Sequence, residues 1–277
     1  MTGSGPFEIP DHIPVTLTTQ RLVLNRRGST VWDVETPTGR VVVKLGYASK
    51  THVWTALAPA REGVILQALG TATVTYGQWD HGTWNVQPWQ AGTDLQHLWE
   101  HHRTRDGVSR PPLSDALACA RALAELHERG YVHGDVQPAH FLVRDEPARA
   151  ALIDLALARG AEIPPRFDFA YRGCLVHYES PETSRRVLED GSAVPTREAD
   201  VYALGATLFM AATGWRHVEY PDDASRPAQR QAIVNGTHRP VNIAGSLGAL
   251  VTDMLRYHAE DRPTIQDVCK ALEQAAA

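Results

Sequence analysis

One segment of the sequence most constrains how this chain can fold. It is a short polar loop followed by two apolar runs, with one aspartate in the loop and another after the second run. The loop at His133–Val143 carries Asp135 and ends in an apolar, strand-like run. A second apolar run, Ala151-Leu152-Ile153, leads directly into Asp154, 19 residues after Asp135. This length suits a loop, a strand, a tight turn and a returning strand. We therefore expect a hairpin that brings both carboxylates to one end.

A lysine lies in a strand-like run upstream of this hairpin. The run Arg40-Val41-Val42-Val43-Lys44 predicts a strand that carries the lysine among valines. One lysine and two acids on strand ends can hold a metal–nucleotide complex and position a hydroxyl nucleophile. Together they form a candidate site for phosphoryl transfer.

These residues and their order resemble the protein-kinase-like superfamily. Lys44 is similar to the strand lysine of that family, and Glu62, 18 residues later, to its helix glutamate. His133-Gly134-Asp135 resembles the catalytic loop, and Asp154-Leu155-Ala156 resembles the D-F-G motif that holds the metal.

Three later motifs extend the resemblance from about Leu17 to Leu272. Ser180-Pro181-Glu182 looks like A-P-E, and the segment that starts at Asp200-Val201-Tyr202 looks like the buried central helix of the family. Asp261-Arg262-Pro263 looks like its late arginine motif, whose Arg262 would pair with Glu182. Within the superfamily, the chain resembles bacterial Ser/Thr protein kinases with a divergent catalytic loop.

The resemblance and the sequence patterns predict an α+β fold with two lobes. Residues 1–14 are rich in glycine and proline and are expected to form a flexible tail. Residues 15–89 would form a small antiparallel β-rich N-lobe, and residues 90–277 a larger helical C-lobe, within one kinase-like domain.

The resemblance implies a role for each site residue. Lys44 would clamp the ATP phosphates, and Glu62 would hold Lys44 by an ion pair. Asp135 would accept or orient the proton of the attacking hydroxyl. Asp154 would hold Mg²⁺, which prefers carboxylate oxygen. His140 occupies the position of the second metal-binding asparagine, and its imidazole suits Mn²⁺ better than Mg²⁺; it could instead hydrogen-bond Asp135 or a phosphate.

The resemblance also implies a nucleotide site. Gly28, Ser29 and Val31 fall where the family has its phosphate-covering glycine loop, although only one glycine is present. The alternative is an ordinary hairpin turn, which these residues favour when they are considered alone. Adenine would be read by the Gln87 carbonyl and the Trp89 N–H, with Trp89 as a packed aromatic being the alternative.

Two further departures concern regulation and substrate. Gly134 replaces the arginine that often grips a phosphorylated activation loop, and Gln137 replaces the lysine of Ser/Thr kinases. No Ser or Thr lies between Asp154 and Ser180. We therefore expect constitutive activity that is set by substrate or partner binding. The alternative is that Arg159, Arg166 or Arg172 pairs with Asp168 or Glu162 and holds the loop without a phosphate.

Three functions remain open from the sequence. The first is an ATP-dependent kinase that phosphorylates Ser/Thr hydroxyls of a protein or peptide. The substrate could be a lanthipeptide-type precursor, which a partner lyase would then modify further. A regulatory subunit is another possible partner. The second is a small-molecule kinase of the aminoglycoside phosphotransferase type, which also carries His-Gly-Asp. The third is a pseudokinase that acts as a nucleotide-binding partner protein.

Charge and hydropathy narrow the partners and the location. The net charge of −5 argues against nucleic acid as a main partner. No apolar run is long enough for a membrane span, and the first residues lack the pattern of a signal peptide. A cytoplasmic protein is therefore expected.

Overall fold

The computed structural model describes residues 8–48, 53–71, 73–103, 109–144, 149–236 and 238–276. They form an α+β fold that divides into two compact units. The first unit comprises the chain up to Gln90 together with Gly160–Phe169, and the second comprises the remainder. The grouping of Gly160–Phe169 with the first unit was not predicted from the sequence.

The first unit is a five-stranded antiparallel sheet with one α-helix. The strands lie in the order β1-β2-β3-β5-β4, which confirms the predicted antiparallel sheet. Their bounds are β1 Thr19–Arg26, β2 Ser29–Thr36, β3 Gly39–Tyr47, β4 Thr75–Trp79 and β5 Gly82–Pro88. Helix α1, Ala58–Ala68, lies between β3 and β4 in the chain, and Pro59 suits its first turn because the missing N–H is not needed there.

Alternate residues of the central strands build the apolar core of the first unit. Buried side chains of β2, β3 and β5 meet on one face, as the two-residue period of a strand requires. Ile9 and Ile13 join this core and are only 6% and 3% exposed. The prediction of a flexible tail over residues 1–14 is therefore wrong for the described part, because two isoleucines anchor it; residues 1–7 lie outside the described residues.

The second unit is mostly helical. Its helices are α2 Leu95–Leu98, α3 Leu113–Glu128, α4 Pro181–Asp190, α5 Arg197–Thr213, α6 Arg226–Asn235, α7 Gly245–Met254 and α8 Ile265–Ala276. A small antiparallel sheet contains β6 Thr93–Asp94, β7 Phe141–Arg144 and β8 Arg149–Leu152. Among the helices of the described ranges, none combines the length and the apolar character that crossing a membrane requires.

Helix α5 lies at the centre of the second unit. Twelve of its residues are buried, including Tyr202, Leu204 and Leu208, so apolar contacts surround it on every side. The Thr196 hydroxyl accepts a hydrogen bond from the Ala199 N–H at its start, and Gly214 ends it in a left-handed conformation. A helix buried all round is the signature of a core element rather than of a surface.

Two arginines of the second unit each bond both oxygens of a glutamate from another segment. The Arg262 guanidinium donates to both carboxylate oxygens of Glu182, at 2.8 and 2.9 Å, as the resemblance implied. It also donates to the carbonyls of Arg256, Glu198 and Tyr257. A second pair joins Arg230 to both oxygens of the buried Glu179 and was not predicted.

Replacing Arg262 by Met should lower the free energy of unfolding by about 2–4 kcal/mol, because the carboxylate of Glu182 and three carbonyls lose their partner. The figure lies below that for a fully buried pair since Glu182 is 31% exposed. Urea unfolding followed by circular dichroism measures it. The control is Arg121→Met, which breaks an exposed pair with Glu273 and should cost about 0–1 kcal/mol. Equal costs for the two variants would contradict this account.

Candidate active site

The predicted hairpin is present and carries the two aspartates at one end. Strand β7 pairs antiparallel with β8, with Phe141 opposite Leu152. Asp135 therefore comes before the first strand, and Asp154 follows the second. His140 lies immediately before β7, between these two acids.

The buried carboxylate of Asp200, in the first turn of α5, holds the loop that carries Asp135. One oxygen accepts from the His133 N–H at 2.7 Å and from His127 Nε2 at 2.9 Å, and the other accepts from the Gly134 N–H at 2.9 Å. Gly134 has φ of +77°, and an added Cβ would lie 3.0 Å from the Leu157 carbonyl oxygen. The loop geometry therefore explains glycine at this position.

The imidazole of His133 links the loop to the strand that leads to Asp154. Its Nδ1 accepts the Asp135 N–H at 3.1 Å, so the other nitrogen carries the proton and donates to the Ile153 carbonyl at 3.0 Å. The ring is completely buried, and burial lowers its pKa. His133 is thus neutral and structural, and it fixes the backbone on either side of the two acids.

Asp135 presents a carboxylate oxygen with an unused acceptor. Its Oδ2 accepts from Gln137 Nε2 at 3.1 Å, whereas the buried Oδ1 has no hydrogen-bond partner among the described residues. Burial raises the pKa of Asp135, while the nearby His140 and the backbone N–H of Leu175 lower it. The N–H of Leu175 makes no hydrogen bond to Oδ1. A buried acceptor without a donor is costly, so Oδ1 is suited to receive a hydroxyl from a ligand.

The tautomer of His140 follows from its backbone contact. Its Nδ1 lies 2.8 Å from the Asp135 carbonyl oxygen, which can only accept, so Nδ1 carries the proton. In the neutral ring, Nε2 then has a lone pair, and it lies 3.4 Å from Asp154 Oδ2. Two electron-rich atoms facing each other form a donor set for a divalent cation, and donation of the second ring N–H to a carbonyl is usual for a metal-binding histidine.

Water and phosphate can complete the ligand set of such a cation. Across the described ranges, no group of three or more His, Cys, Asp and Glu side chains is arranged to hold a metal ion. The backbone of Asp154 is in a left-handed conformation. Its side chain is 40% exposed, so water or phosphate oxygen can reach it. The pair fits an ion that keeps several oxygen ligands from water and phosphate, as Mg²⁺ does.

The predicted lysine–glutamate pair is present within the first unit. Lys44 Nζ lies 2.8 Å from Glu62 Oε1, and the glutamate side chain is only 1% exposed. Asn85, which pairs across the sheet with Lys44, donates to the other oxygen of Glu62 at 3.0 Å and to the Pro59 carbonyl at 2.8 Å. The sequence reasoning missed Asn85, although a polar residue at an inward position of an apolar strand was a usable signal.

The predicted glycine loop is a tight hairpin turn. Arg26 pairs with Ser29, so only Arg27 and Gly28 form the turn, both with positive φ. Thr55 and the Tyr47 carbonyl fill the space that a Cβ on Gly28 would need. The structure thus accounts for the glycine by the turn alone, and contacts of Gly28, Ser29 and Val31 with a nucleotide stay a prediction.

The predicted adenine donor is engaged within the sheet. The Trp89 N–H donates to the Arg40 carbonyl at 3.1 Å, and the Arg40 guanidinium lies 3.9 Å from the centre of the indole ring. The packed-aromatic interpretation of Trp89 is observed, and the role of its N–H toward adenine stays a prediction. Gln87 pairs with Val42 in β5, and a role for its carbonyl stays a prediction.

Comparison with known proteins identifies the class of this fold and site. The family described as "Protein kinase domain" matches residues 92–272, which is more than half of the chain. The chain therefore belongs to the protein kinase domain family. The matched region contains Asp135, His140 and Asp154 but begins after Lys44 and Glu62.

Bacterial relatives are named serine/threonine-protein kinases. The chain is 34% identical to PknK of Mycobacterium tuberculosis over 197 residues, which cover 68% of this chain and 16% of PknK. It is 26% identical to PkaA of Streptomyces coelicolor over 184 residues, 64% of this chain and 32% of PkaA. For PknA of Nostoc, the identity is 23% over 230 residues, 77% of this chain and 37% of PknA. The chain thus spans well under half the length of these relatives.

The predicted nitrogen ligand, His140 Nε2, implies an order of affinity among metal ions. With an ATP analogue that cannot be hydrolysed, Mn²⁺ should bind more tightly than Mg²⁺, because imidazole suits first-row transition ions. His140→Asn should lower the ratio of Mn²⁺ to Mg²⁺ affinity by about tenfold by replacing nitrogen with amide oxygen. Electron paramagnetic resonance of free Mn²⁺, with Mg²⁺ as competitor, measures the ratio. His97→Asn, at an exposed histidine, is the control; the same ratio in all three proteins would contradict the assignment.

Proposed function

We propose that this protein is an ATP-dependent phosphotransferase that acts on Ser or Thr hydroxyls of a protein or peptide. The observation that carries the proposal is the buried Oδ1 of Asp135, which has no hydrogen-bond partner among the residues that the structure describes. Nearby, Asp154 faces Nε2 of His140 at 3.4 Å. A hydroxyl acceptor beside a cation donor set is what phosphoryl transfer to an alcohol needs.

Each residue has a stated part in the reaction. The substrate hydroxyl oxygen forms a bond to the γ-phosphorus of ATP, the bond to the β-phosphate oxygen breaks, and Asp135 Oδ1 accepts the hydroxyl proton. Lys44, held by Glu62, neutralises phosphate charge. Asp154 and His140 would hold Mg²⁺ or Mn²⁺, which supplies further positive charge at the phosphates. Positioning and charge neutralisation therefore supply most of the catalysis.

The choice of a protein or peptide substrate rests on the second unit. The chain has the Glu182–Arg262 pair and the buried helix α5 that the resemblance to protein kinases implies, whereas its resemblance to small-molecule kinases rests on His-Gly-Asp. The relatives named above are serine/threonine-protein kinases. In a narrower form of the proposal, the substrate is a precursor peptide and a separate lyase acts after this protein. Both would act in the cytoplasm, where ATP is available. A regulatory subunit is the other candidate partner.

A pseudokinase is the second candidate, and specific observations favour it. The Trp89 N–H is occupied by Arg40, and the turn at Gly28 has only two residues, so two expected nucleotide contacts are weakened. The intact bond between Lys44 and Glu62 opposes this candidate. Nucleotide binding and transfer must therefore be measured separately.

Replacing Asp135 by Asn should abolish transfer from labelled ATP to a Ser/Thr peptide library while leaving ATP binding largely intact. The amide cannot accept the hydroxyl proton, so the rate should fall by about 10²-fold or more. Phosphoamino-acid analysis measures transfer, and calorimetry measures ATP binding with Mg²⁺ or Mn²⁺.

The matched control is Asp253→Asn, at an exposed aspartate on α7. It should transfer phosphate like the unchanged protein. ATP binding without any transfer to protein, peptide or small alcohols would support the pseudokinase instead. Transfer only to small alcohols would overturn the choice of substrate.

A further inference from the structure

Residues Gly160–Phe169 group with the first unit, although the chain on both sides of them belongs to the second unit. Within the first unit, the consecutive residues Phe167, Asp168 and Phe169 contact helix α1 and Trp54, which precedes this helix in the chain. We call these three residues the clasp. Together they contact residues of α1 on both sides of Glu62.

Phe167 supplies the apolar part of the clasp. It is 2% exposed and packs against Ala60 and Val64 of α1. Its ring meets the edge of Tyr76 at 5.9 Å between centroids. Removing such a buried ring would leave a cavity beside the helix, so Phe167 resists movement of α1 away from the segment.

Asp168 and Phe169 hold Arg61, the residue next to Glu62. Arg61 Nε donates to Asp168 Oδ1 at 3.2 Å, and the arginine side chain is only 10% exposed. The Phe169 ring lies 5.1 Å from the guanidinium carbon and 5.4 Å from the Trp54 ring. The arginine therefore has an anionic partner and an aromatic partner from the same short segment.

The partner of Asp168 corrects the sequence hypothesis. That hypothesis paired Asp168 or Glu162 with an arginine of the loop itself, whereas the observed partner, Arg61, comes from α1. Of the loop arginines, Arg166 lies 4.8 Å from the ring centre of Phe167. The ion pair consequently joins the segment to the helix that carries Glu62.

We propose that the clasp positions Glu62 for its bond to Lys44 without phosphorylation. This rests on the proposed function. A phosphate in a kinase loop usually acts by pairing with arginine. Here the encoded carboxylate of Asp168 supplies the anion, and the segment between Asp154 and Ser180 contains no Ser or Thr. Phe167, Asp168 and Arg61 are positioning residues that act through Glu62.

Hydrogen exchange measured by mass spectrometry on the whole protein tests the clasp directly. Asp168→Asn should speed exchange in the peptide that covers α1 about threefold or more, and Phe167→Leu more than that, because local opening becomes easier. Glu162→Gln is the matched control: it also changes an exposed carboxylate of this segment to an amide, and it should leave α1 unchanged. Asp168→Glu should restore the slow exchange.

Kinetics separates positioning from general stability. Asp168→Asn should raise the KM for ATP severalfold with little change in the KM for the peptide, and Asp168→Glu should restore it. Phosphatase treatment should leave the unchanged protein as active as before. Equal α1 exchange in Asp168→Asn and Glu162→Gln would overturn the proposal, as would a loss of activity on phosphatase treatment. Changed α1 exchange with no transfer in any variant would support the clasp and overturn the proposed function.

Discussion

One buried carboxylate, that of Asp200, fixes the loop on which the second unit's chemistry depends. Three donors converge on its two oxygens, two of them backbone N–H groups of consecutive loop residues. Such charge-assisted bonds in a buried site are short and strong. They lie at the start of α5, so the loop is attached to the most buried helix in the described part of that unit.

Two histidines connect this loop to the two acids. His133 is bonded on both ring nitrogens by backbone groups, and His140 donates to the carbonyl of Asp135. These contacts leave Oδ1 of Asp135 and Nε2 of His140 as acceptors. The first of these acceptors belongs to a carboxylate whose pKa is raised by burial, and together they favour binding of a cation and of a hydroxyl donor.

The sequence predicted what depends on periodicity and on motif order, and it failed where long-range packing decides. The β7–β8 hairpin, the Lys44–Glu62 pair and the Glu182–Arg262 pair followed from spacing and resemblance. The burial of Ile9 could not be predicted, because two isoleucines among glycines and prolines carry no periodic signal.

The observed contacts of Trp89 and Asp168 were missed for the same reason. Each polar group found a partner distant in sequence, namely the Arg40 carbonyl for the Trp89 N–H and Arg61 for Asp168. A single sequence contains no information on which of several arginines folds back to a given carboxylate. Glu62 shows the same limit, since its second partner, Asn85, comes from a strand 23 residues away.

The central claim is that Asp200 holds the loop of Asp135 in place before any ligand binds. Hydrogen exchange of the His133 and Gly134 amides in the ligand-free protein tests it directly, with the exposed Asp253→Asn as control for the loss of a carboxylate. The account predicts slow exchange at both amides in the unchanged protein and in the control, and exchange faster by about tenfold or more in Asp200→Asn, because its amide can accept through only one oxygen. Fast exchange at both amides in the unchanged protein, or no difference in Asp200→Asn, would contradict it.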